Sequence, residues 1–275
     1  MSITDTEALI MKALMFIVFL VTGSILSADI VTGVACTVDN SFGGPQSTIT
    51  DPSSCLLKSP DQGPLGGPAV ASATASASFS LADNPSSFSS LSVDQRANAD
   101  PGRDQTGLHQ LNSDATSQVS VNETLFTTGS VRSGLVQISA TGSSAGDFRG
   151  SSGSLDLSLE SIAVSCFGSG PTGATCVLWP NGAHTVPGYV LPVSLQYYQF
   201  TLGQAFSFSY SGSAGGNSTP SGSGDGYANL QFQFRFFEAD GVTPVAVEAV
   251  PEPATFAFFG LALGAFIAGK KKFQR

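Results

Sequence analysis

Few side chains in this chain could do chemistry, and their spacing argues against most of it. Gly142-Ser143-Ser144-Ala145-Gly146 has the spacing of a serine nucleophile elbow. That device needs a sharp turn from a strand into a helix, with a histidine base close by. The flanks here are strand-like and no helix follows. In a chain with 31 glycines and abundant serine such a match arises by chance, so the segment reads as a hairpin loop. The two histidines, His109 and His184, form no HxxxH or HExxH pair. Asp94, Asp100 and Asp104 do not fit a DxDxDG calcium loop, although an acidic loop can take a hard cation adventitiously. No pair of acids stands out for glycoside hydrolysis. No catalytic, cofactor-binding or metal-binding residue is therefore assigned. The expectation is a protein that is not an enzyme and needs no cofactor.

Cys36, Cys55, Cys166 and Cys176 are spaced by 19 residues in the first pair and 10 in the last, and neither is a CxxC pattern. An even number in an exported chain favours disulfides. Four cysteines allow three connectivities, and the local pairs Cys36–Cys55 and Cys166–Cys176 are preferred because near neighbours in sequence meet at the lowest entropic cost. Trp179, Tyr189, Tyr197, Tyr198, Tyr210 and Tyr227 could stack on sugar rings; the alternative is core and cross-strand packing, since aromatics are enriched in strands.

The elements that must position these residues are strands. Every second residue from 71 to 81 is apolar: Ala71, Ala73, Ala75, Ala77, Phe79 and Leu81. The same alternation recurs at Leu155, Leu157 and Leu159, at Phe206, Phe208 and Tyr210, and at Leu230, Phe232, Phe234 and Phe236. Residues 135–140, 162–167 (read as a continuation of the 155–159 strand) and 193–202 also read as strands. Ala239-Asp240-Gly241 reads as a turn, with Val245 and Val247 starting a last strand that closes a hairpin. Residues 29–70 read as loops and short strands, 82–118 as a long polar loop, and 211–226 as a flexible loop tip. No amphipathic helix is visible between the termini. Many short strands joined by glycine-rich turns predict a mainly β fold, an antiparallel sandwich or jelly roll over residues 29–249.

Charged residues are only 11% of the chain, and the net charge is −9. Of 11 basic residues five lie near the ends (Lys12, Lys270, Lys271, Lys272, Arg275), and of 20 acids three do (Asp5, Glu7, Glu252). The middle thus keeps 6 basic and 17 acidic residues. A domain this acidic repels nucleic acid.

The ends carry the sharper signal. Lys12 precedes an uninterrupted apolar run over residues 13–21, followed by the small residues Ser27 and Ala28. This is the pattern of a secretory signal peptide over 1–28, cleaved after Ala28, with Met11 as an alternative start. Gly33-Val34-Ala35-Cys36 has the composition of a lipoprotein box but lies too far past the apolar core. At the other end, Pro251-Glu252-Pro253 is followed by an apolar stretch over 256–269 and then by Lys270, Lys271, Lys272 and Arg275. The stretch is just short of the usual spanning length, and its lysines can snorkel. The basic cluster would stay in the cytoplasm and leave the large domain outside.

This order of parts resembles the PEP-CTERM sorting signal over residues 250–275. The resemblance implies recognition of Pro251, Glu252 and Pro253 by an exosortase, a transpeptidase-like cysteine protease of the membrane. It implies export through the inner membrane, transient anchoring by the C-terminal helix, and delivery to the cell surface or the extracellular matrix. It says nothing of residues 29–249. For those the leading expectation is a non-catalytic structural or adhesive role. The alternatives are a module binding carbohydrate, such as exopolysaccharide, and a secreted hydrolase with an unrecognised site.

Overall fold

The apolar positions of the alternating segments turn into one core between two sheets. The computed structural model describes residues 29–40, 47–59, 67–103, 110–146, 152–159, 162–168, 175–179, 189–190, 193–218 and 222–250. The expected signal peptide and sorting tail lie outside the described residues, as do His109, His184 and Asp104. The strands in chain order are β1 (Asp29–Asn40), β2 (Ser47–Asp51), β3 (Ser54–Lys58), β4 (Val70–Ser80), β5 (Ser89–Asp100) and β6 (Gly102–Arg103). They continue with β7 (Gln110–Thr127), β8 (Arg132–Gly146), β9 (Ser152–Leu159), β10 (Ile162–Gly168), β11 (Thr175–Trp179) and β12 (Tyr189–Val190). The last are β13 (Val193–Leu202), β14 (Ala205–Asn217), β15 (Gly224–Glu238), β16 (Pro244–Val245) and β17 (Val247–Ala249).

Sheet A runs β12-β11-β10-β9-β14-β7-β1-β2, with β6 and β17 added on β7; sheet B runs β13-β8-β15-β5-β4-β3, with β16 added on β15. All pairings are antiparallel. Strands β1, β7, β14 and β9 of sheet A pack against β4, β5, β15 and β8 of sheet B. The described residues contain no helix, and the fold is an antiparallel β-sandwich. Residues Ala28–Val250 form one compact unit.

The core tapers along the strands. At one end Phe206, Phe208, Phe232, Phe234 and Phe236 are buried with Leu125 and Ile138, their rings about 5 to 6 Å apart. At the other end small residues, Ala71, Ala73, Ala97, Ala99, Ala115 and Ala214, fill most of the space, beside Cys36, Val38 and Leu111. The sheets approach closely there: a Cβ on Gly216 of β14 would collide with the Gly224 carbonyl of β15. Gln95 marks the boundary. Its amide nitrogen donates to the Gly212 carbonyl at 2.9 Å and the Ser117 carbonyl at 3.4 Å, and its oxygen accepts from the Tyr210 hydroxyl at 2.9 Å. One buried amide thus ties β5 of sheet B to β14 and β7 of sheet A. The Cys36–Cys55 disulfide makes a second tie, from β1 to β3.

Several sequence expectations are corrected. Residues 82–118 are not a long loop: they hold β5 and the first half of β7. Their polarity hid the alternation, because β7 turns Ser113, Ala115 and Ser117 inward at the thin end and β5 buries Gln95. Most of 211–226 is likewise strand, its glycines and serines fitting where the sheets come close. Residues 162–167 do not continue the 155–159 strand but fold back on it, pairing Ile162 with Leu159. Gly142–Gly146 is not a hairpin loop but lies within β8, where Ser144 is buried. Residues 29–70 include the 12-residue strand β1. The last strand divides: β16 pairs β15 in sheet B, and β17 crosses to β7 in sheet A.

Candidate functional site

Two places on the sandwich bear on function: the point where the chain leaves it, and the outer face of sheet B.

β17 pairs with β7 in the register Val247↔Thr127, Glu248↔Phe126, Ala249↔Leu125. The Val250 N–H then donates to the Thr124 carbonyl at 2.8 Å. Pro251 follows and has no N–H to continue a ladder. The first strand begins on the same side of β7, with Asp29 opposite Asn122. Because β14 occupies the other side of β7, β17 and β1 lie end to end in one row. The chain therefore enters and leaves the sandwich at neighbouring positions of one central strand.

The outer face of sheet B carries the exposed aromatics. Tyr227 on β15 is 41% exposed, with Arg96 of β5 opposite it on one side and Ala145 of β8 on the other. Around it lies a shallow depression of about 510 Å³, lined by Asp94, Arg96, Asn98, Ser143, Asp225 and Asn229 among others. Asp94 accepts from the Arg96 Nε at 3.4 Å along the same strand. About 27 Å further along β15, eight residues on at the usual rise, stands a second cluster. The Arg235 guanidinium lies 4.4 Å from the Phe88 ring and 4.9 Å from the Phe237 ring. It donates to the Gln137 Oε1 at 2.7 Å and the Ser86 carbonyl at 2.9 Å. Tyr197 of β13, 48% exposed, packs at a tilt against Phe237 with ring centroids 5.7 Å apart. Between the clusters the face presents Gln231, Gln233, Ser92 and Thr141. Rings at both ends of a ribbon of neutral hydrogen-bonding side chains can receive a long, uncharged, hydroxyl-rich ligand.

The carboxylates with shifted pKa values hold turns. The side-chain hydrogen bonds from Arg132 keep Glu238 below the usual carboxylate range and raise the guanidinium in turn. That pair, with Arg132 Nη1 donating to the Ser130 carbonyl at 2.7 Å, fixes the β7–β8 turn to the end of β15. Asp240 is lowered by the Thr243 hydroxyl and then by the Thr243 and Val242 N–H groups. Asp51 is lowered by the N–H groups of Ser53 and Ser54.

Residues 249–272 match the PEP-CTERM protein-sorting motif. The match begins at Ala249, the last residue of β17, and covers Pro251, Glu252, Pro253, the apolar stretch, Lys270, Lys271 and Lys272. Such a motif implies an exported protein processed by an exosortase and sorted to the surface. No curated protein and no solved structure matches the chain.

The other expected site residues fall in several places. Pro251, Glu252, Pro253, Lys270, Lys271, Lys272 and Arg275 lie outside the described residues. Cys36 and Cys55 are bonded, with Cα atoms 6.0 Å apart, which removes the lipoprotein reading of Cys36. Cys166 and Cys176 are placed directly opposite each other in the β10–β11 register. Of the tyrosines, Tyr210 is a core residue, Tyr198 is half-buried, and Tyr197 and Tyr227 face outward on sheet B. Among the described residues no cluster of three or more His, Cys, Asp or Glu could hold a metal ion. Sequence reasoning missed Arg96, Asn98, Asp225 and Asn229. Their signal was present as two period-two runs, Asp94-x-Arg96-x-Asn98 in a segment read as loop and Asp225-x-Tyr227-x-Asn229 running out of the end of another.

Proposed function

We propose that this protein is a non-catalytic component of the cell surface or extracellular matrix. In this reading a signal peptide over 1–28 directs export, and the C-terminal helix holds the chain in the inner membrane until an exosortase removes it. Pro251, Glu252 and Pro253 form the recognition motif, while Lys270, Lys271, Lys272 and Arg275 keep the tail's end in the cytoplasm. Processing breaks one backbone amide: the enzyme's thiolate takes the acyl group, the tail departs as a protonated amine, and water or an amine acceptor releases the new C-terminus. The observation that carries the reading is the sorting motif at 249–272, starting where a disulfide-tied sandwich ends. The test is cell fractionation of a variant with Pro251, Glu252 and Pro253 changed to alanine. It is expected to stay in the inner membrane while the wild type reaches the surface; equal surface delivery would contradict the reading.

A second reading, that the sandwich holds exopolysaccharide, is favoured by the depression around Tyr227. A tyrosine ring beside amides and carboxylates suits a sugar's apolar face and its hydroxyls. Retention of the mature protein on the host's purified exopolysaccharide should drop at least about tenfold in Tyr227→Ala, the loss of ~1.4 kcal/mol. Unchanged retention would remove this face from consideration.

A further inference from the structure

The Pro251-Glu252-Pro253 tripeptide begins one residue beyond a backbone that is already engaged. Thr128 N–H donates to the Ala246 carbonyl at 3.0 Å, β17 pairs three residues with β7, and Val250 N–H reaches Thr124 at 2.8 Å. A single residue spans at most about 3.6 Å, so Pro251 cannot stand clear of the sheet while Val250 stays bonded. Proteases that grip a peptide in extended form use its main-chain groups on both sides of the cleaved bond, in the manner of an added strand. For this chain those upstream groups belong to β7.

We propose that residues 246–250 form a releasable strap, and that exosortase acts only on molecules in which the strap has left β7. The inference rests on the exosortase-sorting reading above and concerns what controls its rate. The strap is built to leave without the rest. It has three ladder residues, it pairs with β7 alone among the described residues, and only Val247 and Ala249 pack on the core, both partly buried. The bulky interior, Phe206, Phe208, Phe232, Phe234 and Phe236, belongs to β14 and β15. Short elements at the end of a sheet, with few buried apolar contacts, open far more often than the whole domain. Glu248, between the two anchors, is exposed and adds no buried contact. The fold thus sets how often the motif is offered to the enzyme.

The test locks the strap in the full-length chain in its host. Glu248 and Phe126 are direct partners in the register. Antiparallel partners lie within the Cα separation a disulfide requires. The double variant Glu248→Cys/Phe126→Cys, its new bond verified by non-reducing peptide mapping, is compared by pulse-chase with each single variant. Tail removal should fall below about a tenth of the wild-type rate in the locked chain, and the single variants should be processed like wild type. Independently, Val247→Asp, which loosens the strap, should speed removal at least about twofold; denaturant unfolding of both proteins would verify that the sandwich persists. Wild-type rates in the locked chain, or in Val247→Asp, overturn the inference. A wild type that never loses its tail would instead contradict the sorting reading itself.

Discussion

Gln95 is the residue on which the interior depends most. Its fully buried amide bonds two carbonyls and one hydroxyl. Tyr210→Phe should cost about 1 kcal/mol, because it strands one buried acceptor. Gly212→Ala should cost about 1–3 kcal/mol, since its Cβ would collide with the Tyr210 hydroxyl and the Gln95 oxygen. Ser144→Ala should cost nothing, because that buried hydroxyl has no partner among the described residues. Denaturant midpoints of the three variants decide the order. The turn carboxylates predict a pH dependence. Glu238, Asp240 and Asp51 all have folded pKa values below their ordinary 4.5, 3.8 and 3.8. A depressed carboxylate stabilises the fold above its unfolded pKa, and that contribution is lost as pH falls through the folded value. The midpoint should therefore be flat in this respect above about pH 5 and decline below it. Glu238→Gln should weaken the decline; an unchanged profile in that variant would contradict the role given to its pairing with Arg132.

Strands were legible wherever large apolar residues alternated, as at 71–81, 155–159 and 230–236, because burial of such side chains on one face dominates the pattern. They were illegible at the thin end of the sandwich. There β7 turns Ser113, Ala115 and Ser117 inward, and β14 turns Gly212, Ala214 and Gly216 inward, so inside and outside have nearly the same composition. The same blindness hid the polar neighbours of Tyr227. The crossing of β17 to the other sheet has no sequence mark beyond Pro244, since Val245 and Val247 look alike whichever sheet they join. Cysteine spacing did better for Cys36–Cys55, because β1 and β3 are brought together by short connections. Breaking Cys36–Cys55, which closes a separation of 19 residues, should cost about 3 kcal/mol on chain-entropy grounds. The β10–β11 register makes a Cys166–Cys176 bridge the expected second bond. Thiol labelling of the denatured, unreduced exported protein should find none, and labelling of two cysteines would refute that second bridge.

At the scale of the whole molecule, the sandwich turns the outer face of sheet B outward and sets its first and last described residues on one strand. Asp29 lies opposite Asn122 and Val250 bonds Thr124, so the two ends of the described sandwich lie at neighbouring positions on β7. Removal of both ends would leave the strand order of both sheets unchanged, since every described pairing lies within residues 29–249. The face bearing Tyr227 and Tyr197 belongs to sheet B and is built by β5, β8, β13 and β15, whereas the exit is on β7 of sheet A, so sorting and any glycan contact can be varied separately. The central claim is that this chain is displayed after exosortase has removed its tail. Intact-mass measurement of the protein recovered from the host's surface tests it most directly. The expected mass corresponds to a chain that starts at Asp29 and ends at or just after Pro253. A surface-located chain whose mass still includes residues 256–275, with Lys270, Lys271, Lys272 and Arg275, would contradict the account and make the tail a permanent anchor.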